Sequence, residues 1–302
     1  MEQNEQNLTG ADFSRMALPF ELDPATVRNR ALDLPYGTLP EQKLDLYLPD
    51  DPPAGPAPVI LYIHGGGWMA GTKRLGALNL VIDAVKRGYA LVVPDYRLFP
   101  QVQFPEFLFD VKTALRWTRA HAAAYRMDPE RIGVVGDSAG GYGALMLGFT
   151  PGHPELSGAQ YGWAGYDESV RAVCDLYSPV VLDADEAAWY RESGAQRMLF
   201  PTDNGKGMLE NAFGTTNPNL LRLMSPTSFV TKDIPPVLIQ QGGSDSIVPY
   251  QHSAALAARI REVCGDARVR YELYPERNHS DRDFMTPENA GIIFSFFDEH
   301  LK

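Results

Sequence analysis

The sequence is poor in cysteine, has fewer basic than acidic residues and contains no long hydrophobic run. Its 302 residues include only two cysteines, which excludes a disulfide framework and a cysteine-based zinc cluster. There are 27 Lys and Arg against 38 Asp and Glu, a net charge of −11 that disfavours nucleic acid and anionic membranes as partners. The longest apolar runs, such as residues 58–63, fall far short of the roughly 18 residues that span a bilayer. We therefore expect no nucleic-acid partner, no membrane span and no metal.

The first ten residues also lack a targeting signal. They are polar, include Glu2 and Glu5, and have neither the basic region nor the apolar stretch of a secretory signal peptide. Together with the scarcity of cysteine, this predicts a cytoplasmic protein, although a secreted form without its leader would show the same features.

The chain does have a globular composition and an alternation of strand and helix patterns. Hydrophobic residues make up 44% and charged residues 22%, as in an ordinary globular domain. After an N-terminal arm at 1–35, with a short helical pattern near 11–16, a half-buried antiparallel strand is predicted at 43–48. Further strands are predicted at 59–63, 89–94, 131–136, 170–176, 236–241 and 269–274, and helices at 76–87, 107–125, 139–149, 253–263 and 288–301. This order predicts one α/β domain over residues 1–302, with a mostly parallel sheet and helices on both faces.

The stretch 183–232 interrupts the alternation and has no strand pattern. A structureless loop of this length is uncommon inside a compact domain, so we interpret it as a helical insertion that acts as a lid. Its aromatic residues, including Trp189 and Phe200, need apolar neighbours, and the open place for them is the carboxyl edge of the sheet. Packing on an outer helix or in a homodimer contact are the alternatives.

The segment Gly136–Gly140, Gly-Asp-Ser-Ala-Gly, matches the G-x-S-x-G pattern of a nucleophile elbow. A predicted strand precedes it and a predicted helix follows it, which is the context that this motif requires. In that context Ser138 lies on a tight turn, with its hydroxyl exposed at the carboxyl edge of the sheet and the positive end of a helix beneath it. The alternative is a glycine-rich turn that only packs a helix on a strand.

A glycine run, His64–Gly67, directly follows the predicted strand 59–63. Glycines allow a backbone to turn its N–H groups inward at positive φ and to approach a ligand closely. Two such amides, together with the amide of Ala139 after the nucleophile, could hold a tetrahedral oxyanion. A phosphate-binding loop is disfavoured, because no helix follows the glycines directly and no Gly-Lys-Ser/Thr occurs there. His64 itself is interpreted as a residue that fixes the loop.

A base and an acid are predicted from the chain order of such sites, serine first, then acid, then histidine. His279 lies in a polar loop after the last predicted strand and fits the base. Asp245 lies in a glycine-rich turn after another strand and fits the acid, whereas the weaker candidates Asp281 and Asp283 do not end a strand. Because Ser138, Asp245 and His279 each follow a different strand, they would meet at one edge of a parallel sheet. The other histidines are interpreted as helix, loop or surface residues, namely His121, His153, His252 and His300.

With these motifs the chain resembles the α/β-hydrolases, and within them the hormone-sensitive-lipase-like carboxylesterases. That group is marked by a His-Gly-Gly-Gly loop and a Gly-Asp-Ser-Ala-Gly elbow, here His64–Gly67 and Gly136–Gly140. The segments Asp95–Leu98 and Asp128–Ile132 are also similar to that group, and the resemblance covers roughly residues 40–300.

The resemblance implies a serine esterase that needs no metal or organic cofactor. Its triad would be Ser138, Asp245 and His279. Its oxyanion hole would be formed by the amides of Gly65, Gly66 and Ala139.

Two departures from that group bear on the substrate. The N-terminal arm is short, and the acid turn Asp245–Pro249 is not of the Asp-Pro-Leu type. Both features look more like the small bacterial feruloyl and acetylxylan esterase branch. We therefore expect hydrolysis of short-chain acyl esters, acetyl to butyryl, with acetylated or feruloylated carbohydrates as candidate substrates. Trp68, Trp189 and Phe200 are predicted to line the substrate pocket. An arylformamidase-type amide hydrolase and a non-catalytic small-molecule receptor are the alternatives.

Overall fold

The computed structural model describes residues 22–75, 82–180 and 207–302, which include an eight-stranded sheet. The strands are β1 Arg30–Pro35, β2 Lys43–Tyr47, β3 Ala57–Ile63, β4 Ala90–Pro94, β5 Met127–Asp137, β6 Ala172–Leu176, β7 Val237–Gly242 and β8 Val269–Tyr274. Their order across the sheet is β1-β2-β4-β3-β5-β6-β7-β8. β2 is antiparallel to β1 and to β4, and all other neighbours are parallel. The predicted, mostly parallel sheet is thus confirmed.

Helices cover both faces of this sheet. In the described part of the chain they are α1 Glu106–Ala120, α2 Ala139–Phe149, α3 Met208–Phe213, α4 Pro218–Leu223, α5 Tyr250–Cys264 and α6 Pro287–Leu301. α1, α2 and α5 contribute to one apolar cluster, and α6 contributes to the other. Every residue of β3 and β4 is buried between these layers, which explains their continuous runs of Val, Ile and Leu. None of the described helices is both long and apolar enough to cross a membrane.

The N-terminal part of the sheet differs from the prediction. Residues 30–35, assigned to the arm, form the edge strand β1, whose pattern is interrupted by a register shift near Asp33 at φ 54°. β2 is antiparallel as predicted, but it is buried and not half-buried, because Leu44 and Leu46 belong to one apolar cluster and Tyr47 to the other. Its buried charged residue, Asp45, forms an ion pair with Arg74 at 2.7 Å.

Several predicted segments fall partly or wholly outside the described residues. They include the short helix near 11–16 and the first part of the helix predicted at 76–87, of which Ile82–Arg87 forms a 3-10 helix. The insertion 183–232 is described from residue 207, and within that part α3 and α4 are helical as predicted. Trp189 and Phe200 lie outside the described residues.

Candidate active site

Ser138 lies on the turn between β5 and α2, at the carboxyl edge of the sheet. Its backbone has φ 51° and ψ −122°, a conformation that costs a non-glycine residue about 1–3 kcal/mol. The space around the turn explains its two flanking glycines. A Cβ on Gly136 would come within 2.2 Å of the Gly140 carbonyl oxygen, and a Cβ on Gly140 within 2.1 Å of the Ile63 oxygen. The Ser138 amide donates to the Leu176 carbonyl at 2.8 Å, which ties the elbow to β6.

A chain of hydrogen bonds joins Ser138, His279 and Asp245. His279 Nε2 lies 3.0 Å from Ser138 Oγ, and Nδ1 lies 2.8 Å from Asp245 Oδ2. Because a carboxylate only accepts, Nδ1 carries the proton and Nε2 is free to accept the proton of the serine. Asp245 Oδ1 accepts from the amides of Ile247 and Val248 at 2.9 and 2.7 Å. His279 is 5% and Asp245 9% exposed, so the pair is largely shielded from bulk water.

Asn278 ties the acid turn after β7 to the base loop after β8. Its Oδ1 accepts from the amide of Ser246 at 2.9 Å, from the Ser246 hydroxyl at 3.0 Å and from the amide of His279 at 2.7 Å. A second link runs from the Ser244 amide to the Arg277 carbonyl at 3.1 Å. Sequence reasoning missed Asn278, although it directly precedes the predicted base.

Other acids and histidines that the sequence offered have different surroundings. Asp281 accepts from the amides of Asp283 at 3.0 Å and Asn278 at 3.2 Å, and so caps the short turn after the base loop. His252 was expected at the surface, but it is fully buried in α5, where its Nδ1 accepts from the Val180 amide at 3.1 Å. Burial lowers the pKa of His252 to about 3, so its imidazole stays neutral.

The glycine loop after β3 contradicts one predicted oxyanion donor. The Gly65 amide donates to Asp137 Oδ1 at 3.0 Å, so it is not available to an oxyanion. Gly66 and Gly67 have φ of 119° and 61°, and no acceptor for either amide, or for the Ala139 amide, occurs among the described residues. Ala139 begins α2, where a helix leaves its N–H groups without partners. The amides that remain without an acceptor there are thus those of Gly66, Gly67 and Ala139, and of these only Gly67 is not among the predicted donors.

Asp137, the second residue of the elbow motif, supports the glycine loop. Its Oδ1 also accepts from the Tyr62 hydroxyl at 2.7 Å. Burial raises the pKa of the Asp137 carboxyl, against the opposing effect of the hydrogen bonds from Tyr62 and the Gly65 amide. A Cβ on Gly65 would lie 2.6 Å from Asp137 Oδ2, so the contact requires a glycine.

The two ends of the glycine loop are fixed by further side chains. His64 Nδ1 donates to the Gly65 carbonyl at 2.8 Å, and its ring stacks on Tyr96 at 4.4 Å. The Tyr96 hydroxyl in turn donates to the His64 carbonyl at 2.8 Å. Burial lowers the pKa of His64, which suits this packed, neutral ring better than a role as base. Beyond the loop, the Lys73 amide and ammonium both bind Asp95 at 2.7 Å.

Trp68, predicted to contact substrate, is only 1% exposed and has a packing role. It belongs to an aromatic cluster that comprises Trp68, Phe104, Phe107, Tyr142 and Phe213. The Trp68 ring packs edge-on against Phe213 at 5.1 Å and against Tyr142 at 5.4 Å. Phe213 ends α3 and Tyr142 lies one turn after Ser138, so the cluster joins the insertion to the glycine loop and to the elbow helix.

The sheet order, the strained serine turn and the adjacent glycine loop define the α/β-hydrolase class. Over residues 44–260 the chain matches the family described as BD-FAE, and it belongs to that family. Within residues 22–75, 82–180 and 207–302, no three His, Cys, Asp or Glu side chains group as metal ligands would.

Curated relatives of the chain include two esterases of Mycobacterium tuberculosis. Esterase LipC is 29% identical over 244 residues, which cover 81% of this chain and 58% of the relative. Esterase LipQ is 32% identical over 250 residues, which cover 82% of this chain and 56% of the relative. The chain thus spans somewhat more than half the length of these relatives.

Solved structures with the same fold include a truncated carbohydrate esterase from gut microbiota. It has a TM-score of 0.77 and 24% identity, and the match covers 93% of this chain and 99% of that chain. A thermophilic esterase from Thermogutta terrifontis with propionate bound has a TM-score of 0.67 and 23% identity, and the match covers 90% and 93% of the two chains. At these identities the similarity concerns the fold.

Proposed function

We propose that the protein is a serine carboxylesterase with Ser138 as nucleophile, His279 as base and Asp245 as acid. The observation that carries the proposal is the continuous contact from Ser138 Oγ through the imidazole to Asp245, at 3.0 and 2.8 Å, on a strained elbow. The names of the relatives, both esterases, support the same reaction class.

In this mechanism His279 Nε2 takes the proton of Ser138 as Oγ attacks the ester carbonyl. Asp245 holds the imidazole with its proton on Nδ1 and stabilises the imidazolium that forms. The imidazolium then protonates the leaving alcohol, and an acyl group remains on Ser138. Water attacks this acyl-enzyme by the same route, which frees the acid and restores the serine.

The negative charge on the carbonyl oxygen would be bound by the amides of Gly66, Gly67 and Ala139. Loss of one such donor costs about 3 kcal/mol in known hydrolases, because a preorganised dipole needs no reorientation during the reaction. The Gly65 amide contributes indirectly, since its bond to Asp137 sets the course of the loop.

The substrate proposal is a short acyl chain, acetyl to butyryl, on an alcohol that includes acetylated or feruloylated carbohydrate. The aromatic cluster supports it, because its rings fill the space between the glycine loop, α3 and the elbow helix. One domain carries the whole site, and the insertion 183–232 acts as its lid.

The reaction class is tested by Ser138→Ala with Ser157→Ala as control, since Ser157 contacts Glu168 away from the elbow. Ser138→Ala should lower kcat on p-nitrophenyl acetate by about 10⁶-fold and abolish labelling by a fluorophosphonate. Ser157→Ala should keep the wild-type kcat and the labelling by a fluorophosphonate. EDTA should leave the wild-type rate unchanged. Activity of Ser138→Ala within tenfold of wild type would refute the nucleophile.

The acyl preference is tested with p-nitrophenyl esters from acetyl to laurate. Phe213→Ala removes a ring from the aromatic cluster and should raise the octanoyl-to-acetyl ratio of kcat/KM. Phe109→Ala is the control, because Phe109 packs on Tyr161 outside this cluster. A wild-type preference for laurate would refute the short-chain proposal, and N-formylkynurenine as the best substrate would favour amide chemistry.

A further inference from the structure

The Asp245 carboxylate has a hydrogen-bond partner that the esterase mechanism does not use. Gln241, the fifth residue of β7, is fully buried, and its Nε2 donates to Asp245 Oδ2 at 3.0 Å. The same oxygen contacts His279 Nδ1 at 2.8 Å. Asp245 thus receives two donors on Oδ1, the amides of Ile247 and Val248, and two on Oδ2.

The orientation of the Gln241 amide is determined by its surroundings. Besides Asp245, Nε2 faces the carbonyl oxygens of Gly242 and Val248, both at 3.2 Å. A flipped amide would set its oxygen against these three acceptors, which is unfavourable in a buried site. On the other side, Oε1 accepts from the buried Ser253 hydroxyl of α5 at 2.7 Å.

We propose that Gln241, oriented by Ser253, is a positioning residue for the Asp245–His279 pair. This inference rests on the proposed esterase function. The amide stops the carboxylate from rotating about its own axis, so Oδ2 stays directed at the imidazole. It also shares that oxygen with His279, which limits how strongly the carboxylate stabilises the imidazolium.

The chain offers a matched control in the preceding residue. Gln240 has the same side chain and the same full burial, but successive strand residues point to opposite faces of the sheet. Its amide exchanges two hydrogen bonds of 2.8 Å with Asn289 of α6 and does not contact the triad. Gln240→Met and Gln241→Met therefore remove equal polar groups from the two faces of one strand.

The experiment compares these variants with wild type, with rates normalised to active sites titrated by a fluorophosphonate. Gln241→Met should lower kcat about tenfold or more with little change in KM, the usual size of a hydrogen bond to a charged group. Without the shared donor, the carboxylate stabilises the imidazolium more strongly, so His279 is protonated at higher pH. The acid limb of the pH profile of kcat/KM, where activity falls as His279 is protonated, should therefore move to higher pH. Gln240→Met should lower thermal stability but leave the normalised kcat and this limb in place.

Gln241→Glu gives a second, independent signature. An ionised Glu repels Asp245, whereas a protonated Glu donates as the amide does. At pH values above the acid limbs of both enzymes, where His279 is neutral, the ratio of variant to wild-type activity should therefore rise as the pH falls. Ser253→Ala should reproduce the direction of the Gln241→Met changes at smaller size. Asp137 on β5 and Tyr177 after β6, which also face the pair, are unchanged in all variants.

The outcomes separate the positioning role from the esterase assignment. A wild-type enzyme without Ser138-dependent hydrolysis would refute the proposed function itself. If wild type is active but Gln241→Met matches Gln240→Met in normalised kcat and acid limb, the positioning role is wrong. If Gln241→Met does not fold, the test is the ratio of Gln241→Glu activity to wild-type activity as a function of pH. A ratio that does not change with pH overturns the inference.

Discussion

The glycine loop after β3 and the base loop after β8 lie at the same edge of the sheet but are held in different ways. Side chains from neighbouring segments support the glycine loop, with Asp137 at one end and Asp95 beyond the other. The base loop and the acid turn bind each other through their own groups, chiefly Asn278 and Ser246. A loop that must keep its amides free for a ligand needs support from elsewhere. A loop that presents a single imidazole can use its own polar groups for rigidity.

The largest effect is expected where the acid turn meets the base. Asp245→Asn should lower kcat/KM on p-nitrophenyl acetate by about 10⁴-fold, because an amide no longer holds the required tautomer of His279. Asp281→Asn, on the same loop as the base, is the control and should cost far less, since Asp281 caps the short turn after the base loop. If Asp281→Asn lowers kcat/KM by several orders of magnitude while Asp245→Asn lowers it only slightly, the acid is misassigned.

On the glycine-loop side, Asp137→Ala should lower kcat about a hundredfold, the size expected when one oxyanion donor is misplaced. The alanine removes the acceptor of the Gly65 amide and of the Tyr62 hydroxyl. Asp137→Asn keeps an oxygen at that position and should stay close to wild type in steady-state kinetics. Equal losses in both variants would mean that the charge of Asp137, and not its support of the loop, matters.

A smaller effect is expected from the link between the acid turn and the base loop. Asn278→Ala removes the acceptor shared by Ser246 and the His279 amide, and should lower kcat about tenfold, as for a lost buried hydrogen-bond partner. Asn278→Asp retains the acceptor oxygen and should recover most of the rate. Wild-type kcat in Asn278→Ala would show that the two loops hold their geometry without this side chain.

The smallest effect on activity is expected from a substitution of Asp175 in β6. This carboxyl packs closely against α2, since a Cβ on Gly141 would lie 2.5 Å from its Oδ1. Burial raises the pKa of Asp175 to about 7 from 3.8. Between these values the folded state keeps a proton that the unfolded state releases, so this group makes stability fall as pH rises from about 4 to 7.

Asp175→Asn has no such proton, so the variant should unfold at a higher temperature than wild type at pH 8. The difference should shrink towards pH 4, with kcat nearly unchanged. Thermal unfolding of both proteins at pH 5 and pH 8 measures the effect. Parallel pH profiles would show that Asp175 does not set this dependence and that its burial is compensated.

Much of the architecture could be predicted because it depends on local patterns. Continuous apolar runs marked the parallel strands, and the segment Gly136–Gly140 marked the elbow between one of them and α2. β1 was missed because its register shift near Asp33 breaks the alternation that identifies a strand. The burial of β2 was missed for a different reason, since its alternating pattern does not show that apolar residues from elsewhere in the chain cover both of its faces.

The candidate triad could also be predicted from sequence, since Ser138, Asp245 and His279 each follow a parallel strand, and such strands end at one edge of the sheet. The roles of Gly65 and Gln241 could not. The partner of the Gly65 amide is Asp137, 72 residues further along the chain, and Gln241 differs from Gln240 only in the face to which it points. Local patterns specify which element a residue belongs to. Which donor meets which acceptor depends on distances between elements, and these arise only when the chain packs.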